Sequence, residues 1–281
     1  MTSARGFTAL VLAGDRKSPD PVAVATGAPC KALSPVGGRP VILRVLDALE
    51  ASGRIDATVI CGPPAPALAA CPELQERIDA GRVTWLANLD SPGRSAEHSL
   101  ARLDAQAPVL LTTADHALLT ADIVREFLDG SLADAADATL GLVEYGAVAA
   151  AWPGIRRTVT RLRDGHYCGC NLYALLNERG RGLVTYWKRA EQSRKRPWQW
   201  IAQLLGPVPV LSYLAGMLTL DAAVGALSKR TGIRIRPVPL SAPRACIDVD
   251  TVTDLQLVES ILAQARQPST QHVPASPAES Q

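Results

Sequence analysis

The chain has 281 residues, enough for one large α/β domain or two small ones around a full hydrophobic core. Hydrophobic residues make up 47% and charged residues 20%, the balance of a globular enzyme. A formal net charge of +2 and an aromatic content of 4% exclude both the basic surface that duplex nucleic acid demands and a base-stacking platform for single strands.

Phe7–Leu12 is an apolar run closed by a glycine-containing turn, the pattern of a buried parallel strand and not of a signal peptide core. Residues 13–39 then form a Gly-, Pro- and Ala-rich loop, too long for a simple connection and therefore expected to be functional. Pro40 opens a helix with Val41, Ile42, Val45, Leu46 and Leu49 on one face, and Gly53 stops it. Thr58–Cys61 is the next strand, residues 73–80 a helix and Val83–Leu86 a short strand. Ser95 reads as the cap of a helix reaching about Ala105; Val109–Thr113 is a central strand, and Thr120 caps the helix after it. Strand and helix alternate throughout, which predicts a parallel sheet covered by helices.

The second half is more mixed. Ala138–Tyr145 reads as a strand, and Thr158–Leu162 and Tyr167–Tyr173 flank Asp164-Gly165, a hairpin signal. Helical patterns cover 181–192, 197–205 and 220–230, Ile233–Val238 is a strand, and Thr251 with Asp254 forms a capping box for a last helix to about Ala265. Pro197–Leu220 carries no charge, but Gln199, Gln203, Gly206 to Pro209 and Gly216 interrupt it, so it is expected to form two buried segments and not a membrane span. Gln267–Gln281 is expected to be a disordered tail, leaving a single domain over 1–266. Cys30, Cys61, Cys71, Cys168, Cys170 and Cys246 show no CxxC spacing, so free thiols in a reducing cytoplasm are expected.

Three constellations carry chemistry. In the first, Leu12-Ala13-Gly14-Asp15-Arg16 leaves the first strand, and Lys31-Ala32-Leu33 returns after a loop. Backbone N–H groups at such a strand end, joined by a lysine, suit a triphosphate; the plain alternative is an ordinary turn with surface charges. The second is Thr112-Thr113-Ala114-Asp115-His116 at the end of the central strand. There Asp115 is placed either to hold Mg²⁺ or to cap the following turn, and His116 to contact a substrate or brace the loop. In the third, extended Asp248-Val249-Asp250, two carboxylates point to one face and need a cation or a hydrogen-bond network between them.

These residues resemble the nucleotidyltransferases that include molybdenum cofactor guanylyltransferase. Leu12-Ala13-Gly14 with Arg16 and Lys31-Ala32-Leu33 looks like their opening motif, and Asp115 sits where they carry a metal-binding aspartate. Val249-Asp250-Thr251-Val252-Thr253-Asp254-Leu255 is similar to their closing motif, in the form found in the cytidylyltransferase that activates 3-deoxy-manno-octulosonate. The resemblance runs in order from about Ala9 to Leu262. It implies a three-layer α/β/α Rossmann-like fold with a mostly parallel mixed sheet, and an acceptor-side region over about 145–230. It also implies a Mg²⁺-dependent transfer of NMP from an NTP to a small phosphorylated acceptor, with release of pyrophosphate.

On this resemblance the N–H groups of Ala13 and Gly14, with Arg16, hold the β- and γ-phosphates, and Lys31 offsets charge at the α-phosphate. Asp115 and Asp250, with Asp248, hold Mg²⁺. Arg94 and Ser95 are candidates for contact with the base or ribose, although Ser95 also reads as a plain cap. Asn171 and His116 are candidates on the acceptor side; a buried, satisfied Asn171 is the plain alternative. Lys195, within the basic and aromatic run Arg194–Trp200, is a further acceptor candidate; that run also suits an anionic membrane surface, and the plain alternative is a solvated helix end followed by core tryptophans.

Two rivals stand beside this reading. The family has a second glycine where this chain has Asp15, which would suit an inactive nucleotide-binding protein. A glycosyltransferase on a related fold would need a carboxylate pair at the strand end, where Thr113-Ala114-Asp115 supplies one.

Overall fold

The computed structural model describes residues 6–15, 19–192 and 204–266. β1 (Phe7–Leu12) is apolar at nearly every position because both of its faces are covered. Ala9 and Val11 enter one hydrophobic cluster, and Leu10 and Leu12 enter another on the opposite side of the sheet. The expected loop contains more structure than its composition suggests. It holds α1 (Pro21–Thr26), a 3-10 turn over Lys31–Leu33, and a small hairpin of β2 (Pro35–Val36) and β3 (Arg39–Pro40). Asp20 caps α1 by accepting from the Val22 and Ala23 N–H groups at 2.9 and 3.3 Å, and Gly27 closes the helix at φ 67°.

The next helix, α2 (Val41–Ala51), buries the predicted stripe. It leads to β4 (Ile55–Cys61), α3 (Ala65–Leu68), α4 (Pro72–Asp79) and β5 (Thr84–Leu86). α5 (Pro92–Leu100) corrects the sequence reading: Ser91, not Ser95, is its cap, and it stops short of Ala105. Pro92 fits the first helical position, and the Ser91 hydroxyl accepts from the Arg94 N–H at 3.3 Å. β6 (Val109–Thr113) matches its predicted bounds, and Thr120 caps α6 (Ala121–Leu132) as expected.

β7 (Ala138–Glu144) runs straight into α7 (Tyr145–Ala151), and β8 (Thr160–Leu162) and β9 (Gly165–Leu175) form the predicted hairpin. Then come α8 (Glu178–Arg181), α9 (Leu183–Gln192), α10 (Pro207–Leu214), α11 (Leu220–Thr231), β10 (Ile235–Pro239) and α12 (Val252–Arg266). The Thr251–Asp254 capping box is present, with reciprocal bonds of 2.9 and 3.2 Å.

The expected burial of the 197–220 stretch fails at α10. The helix buries none of its residues, and Val208, Leu211 and Leu214 are exposed. Among the described residues no helix is long and apolar enough to cross a membrane. Most of the predicted 197–205 helix and the predicted tail lie outside the described residues.

The main sheet has the order β10-β7-β9-β6-β1-β4-β5, with β8 on β9. Pairing is parallel except around β9, which runs antiparallel to β6, β7 and β8. Helices α2, α6 and α12 pack on one face, and α5, α9 and α11 on the other. This is the expected mostly parallel α/β nucleotidyltransferase architecture, and it brings the ends of β1 and β6 side by side, where ligands bind in such sheets. All six cysteines are free and buried.

Candidate active site

Leaving β1, the chain is fixed between its neighbours. The Ala13 N–H donates to the Cys61 carbonyl at 2.8 Å, and the Ala114 N–H donates to the Leu12 carbonyl at 2.9 Å. The expected role of the Ala13 N–H in holding phosphate is therefore corrected, since β4 already uses that donor. The N–H groups of Gly14 and Asp15 make no hydrogen bond among the described residues. Gly62 underlies this turn at φ +87°, and a Cβ there would lie 2.8–2.9 Å from the backbone of Ala13 and Gly14. Only glycine tolerates that conformation and that approach.

Asp15 does not point bare charge at a ligand. Its carboxylate accepts from the Lys31 N–H at 3.1 and 3.3 Å and so anchors the Lys31–Leu33 turn. Burial pushes its pKa up, against this N–H, which favours the charged form.

The Lys31 side chain then reaches across the strand ends. Its Nζ donates to Asp115 Oδ2 at 2.6 Å and to Asp250 Oδ1 at 2.8 Å. Burial alone would favour the neutral amine, but the two carboxylates outweigh it and hold the ammonium charged above its ordinary range. Asp115 is the mirror case: burial favours its neutral form, and Lys31 prevails and pulls its pKa down. Asp115 Oδ1 is buried with no hydrogen-bond partner among the described residues. Val249 N–H donates to the Asp115 carbonyl at 3.0 Å, tying the two aspartate-bearing segments together.

These groups line a hollow of about 320 Å³ that also takes in Leu12, Gly14, Ser95 and Trp187. Among its described lining residues, Lys31 faces the carboxylates of Asp15, Asp20, Asp90, Asp115 and Asp250 as the single base. A second hollow of about 890 Å³ adjoins it, lined by Trp152, Arg156, Arg157, Thr158, Asn171 and Asp254 among others. Asp250 and Thr251 belong to both walls.

The structure brings Leu12, Ala13, Gly14, Lys31, Ser95, Asp115 and Asp250 to the first hollow and Asn171 and Asp248 to the second. Ser95 sits inside α5 with its Oγ accepting from the Leu89 N–H at 2.9 Å. Arg94 is not on the wall; it is exposed and pairs with Asp90 at 2.6 Å. Asp248 makes no contact with Lys31 and is held by other partners. One of its oxygens meets the Arg157 guanidinium, and the other accepts from the Asn171 amide at 2.8 Å. The expectation that Asp248 joins Asp115 and Asp250 in holding a metal is corrected on that ground. His116 is 1% exposed and lines neither hollow, which removes it from the acceptor side as folded. Burial pushes its pKa down to about 4, so it is neutral at pH 7. Arg16 and Lys195 lie outside the described residues.

Sequence reasoning missed Trp187 and Arg157. Trp187 stacks on Tyr173 with ring centroids 6.5 Å apart, and its place in an amphipathic helix gave no sign that it edges a cavity. The partners of Arg157 lie about 90 residues along the chain, beyond any spacing rule.

The family model of the MobA-like NTP transferase domain matches residues 9–249. No curated protein matches the chain. A hypothetical transferase from Thermus thermophilus is 30% identical, with a TM-score of 0.73, over 89% of this chain and 99% of that one. Two more distant structures share the fold. The 4-diphosphocytidyl-2C-methyl-D-erythritol synthase of Anaerococcus prevotii has 13% identity and a TM-score of 0.57, over 92% of this chain and 99% of that one. CMP:2-keto-3-deoxy-manno-octonic acid synthetase, in complex with CTP, has 16% identity and a TM-score of 0.54 over the same shares. With a lysine and two aspartates gathered in one hollow of that fold, the chain belongs to the MobA-like NTP transferase family and is a nucleotidyltransferase.

Proposed function

We propose that the protein transfers NMP from an NTP to a small phosphorylated acceptor, releasing pyrophosphate, and that it requires Mg²⁺. The observation that carries this reading is the ammonium of Lys31 set between Asp115 and Asp250 beside the ends of β1 and β6. Among the described residues that line the hollow around them, carboxylates outnumber the single ammonium, so these residues alone would repel a bare triphosphate. The residues fit a hard cation: two carboxylates, one with a buried oxygen that has no hydrogen-bond partner among the described residues. No cluster of three or more metal-binding side chains gathers among the described residues. That suits an ion held by one or two carboxylates together with substrate phosphates. Bound there, Mg²⁺ would neutralise phosphate charge as a Lewis acid.

The chain's own groups do the rest. The N–H groups of Gly14 and Asp15 hold the β- and γ-phosphates, a role the sequence also gives to Arg16. Lys31 leaves its carboxylates to stabilise charge on the α-phosphate and the leaving pyrophosphate. The nucleoside lies toward Ser95 and Trp187. The acceptor enters the second hollow, whose walls come from the acceptor-side region over 145–230 and from the start of α12, with Asn171 among its contacts. A phosphate monoester is already anionic at neutral pH, so positioning replaces a general base.

The test is pyrophosphate release with Mg²⁺, each of the four NTPs and a panel of phosphorylated acceptors, with Asp115→Ala as control. Turnover with one pair, abolished in the variant, supports the reading. Tight NTP binding with no release across the panel favours an inactive binding protein; the main sequence argument for that rival weakens with the Asp15 carboxylate engaged by the Lys31 N–H.

A further inference from the structure

Between the 3-10 turn at Pro243–Cys246 and the start of α12, residues 247–251 belong to no strand or helix. Asp250 projects from this stretch with its side chain 54% exposed. Two attachments fix its position. One is the Val249 N–H on the Asp115 carbonyl. The other is Arg157, from the loop between α7 and β8, whose guanidinium meets three separate points of the stretch and its flanks. It donates to the Cys246 carbonyl at 2.6 Å, pairs with the Asp248 carboxylate, and reaches the helix-capping Asp254 at 3.4 Å.

The side chains of Arg157, Asp248 and Asp254 are 12%, 15% and 15% exposed, so water screens these contacts little. Asn171 completes the grip on Asp248. It adopts φ +50°, the one positive φ at a non-glycine residue among those described, and in that pose its amide donates to Asp248. A guanidinium offers planar, forked donors to several acceptors at once, and a lysine ammonium cannot reproduce that fork.

We propose that Arg157, although on the wall of the second hollow, is a positioning residue: its guanidinium is taken up by Cys246, Asp248 and Asp254 and so sets Asp250 against Asp115. The proposal rests on the reading of Asp115 and Asp250 as cation ligands. Asp248 is then the handle by which the segment is held.

The experiment compares the full-length protein with Arg157→Met, Arg157→Lys and the gentler Asp248→Asn. One readout is amide hydrogen exchange at Val249, with Leu10 in β1 as the reference. The other is Mn²⁺ affinity by electron paramagnetic resonance, in the presence of each of the four NTPs in turn. In Arg157→Met, Val249 exchange is expected to quicken about tenfold while Leu10 is unchanged, and Mn²⁺–NTP affinity to fall about tenfold or more, as for groups that orient metal ligands. Arg157→Lys should not restore either value, and Asp248→Asn should move both in the same direction. Unchanged protection at Val249 in Arg157→Met and Asp248→Asn overturns the proposal. Faster exchange with unaltered Mn²⁺–NTP affinity overturns it too, because the role would be merely structural. A variant that keeps both values but raises the acceptor KM would show that Arg157 binds acceptor. If the unaltered protein binds Mn²⁺ with none of the four NTPs, the nucleotidyl-transfer reading of this site fails, and Val249 exchange still decides whether Arg157 holds the segment.

Discussion

Lys31 stands where a divalent cation would approach Asp115 and Asp250, and its two hydrogen bonds make it a competitor for that place. Metal alone must displace an ammonium held by two charges, whereas metal arriving with a triphosphate offers Lys31 a new partner. Lys31→Met keeps the stem and removes the charge. It should bind Mn²⁺ without nucleotide about tenfold more tightly than the unaltered protein, by roughly the worth of one charge-assisted contact, and lose about a hundredfold or more in kcat as the stabilising charge at the transferred phosphate goes. Titration by paramagnetic resonance and a pyrophosphate assay check the two halves; equal Mn²⁺ affinity would remove the competition argument. At this scale the sequence was informative where a residue's place depends on a strand end. Asp115 follows β6 directly and Lys31 opens a turn, so local order located both. Asp248 and Asp250 were read as two carboxylates on one face of an extended stretch. Their separate partners come from residues 91 and 219 positions away, a distance over which spacing carries no signal.

Among the elements, the turn after β1 depends on Gly62 at the end of β4. Gly62→Ala adds a methyl group that meets the Ala13 and Gly14 backbone below 3.0 Å, at a φ unfavourable for any residue with a Cβ. The turn must shift, and NTP affinity is expected to fall about tenfold or more, measured by equilibrium binding, while β1 itself stays folded by circular dichroism. Asp137, ahead of β7, ties that strand to β10 and α8. It accepts from the Arg234 N–H at 2.8 Å and the Asn177 amide at 3.0 Å, with its side chain 3% exposed. Burial alone would raise its pKa, but these donors bring it down to about 2. A depressed carboxyl contributes stability that is present above the unfolded pKa, near 4, and lost as pH falls toward 2. Asp137→Asn should therefore be about 2 kcal/mol less stable in urea at pH 7, with the gap closing between about pH 4 and pH 2. Strands and capped helices were legible because period and caps are local. The cap of α5 was misplaced by choosing Ser95 over Ser91, although Pro92 marked the start. α10 was misread because an uncharged run looks buried by composition alone, and its exposure is set by what packs against it.

For the whole molecule, alternation of strand and helix announced a parallel sheet, and the Asp164-Gly165 hairpin announced an antiparallel element. Nothing local revealed that β9 inserts between β6 and β7, since neighbours in a sheet are chosen by long-range packing. That arrangement places Asn171, on β9, opposite Asp248 and so helps to build the second hollow. Binding at the first hollow should stabilise the fold as a unit. At a hundredfold excess over its Kd, the accepted NTP with Mg²⁺ should add about 2.7 kcal/mol and raise Tm by about 5–10 °C. The other three NTPs should give smaller shifts, and Asp115→Ala should erase the effect in a thermal melt.

Asp250 and Thr251 form the partition between the two hollows, so one short length of chain faces both chambers. A donor in one chamber and an acceptor in the other would be in residence together, with the reacting atoms meeting at the edge of the partition and no side chain carrying the nucleotidyl group between visits. Initial rates measured over both concentrations should accordingly give intersecting, not parallel, double-reciprocal lines. Labelled pyrophosphate should not exchange into NTP until acceptor is added.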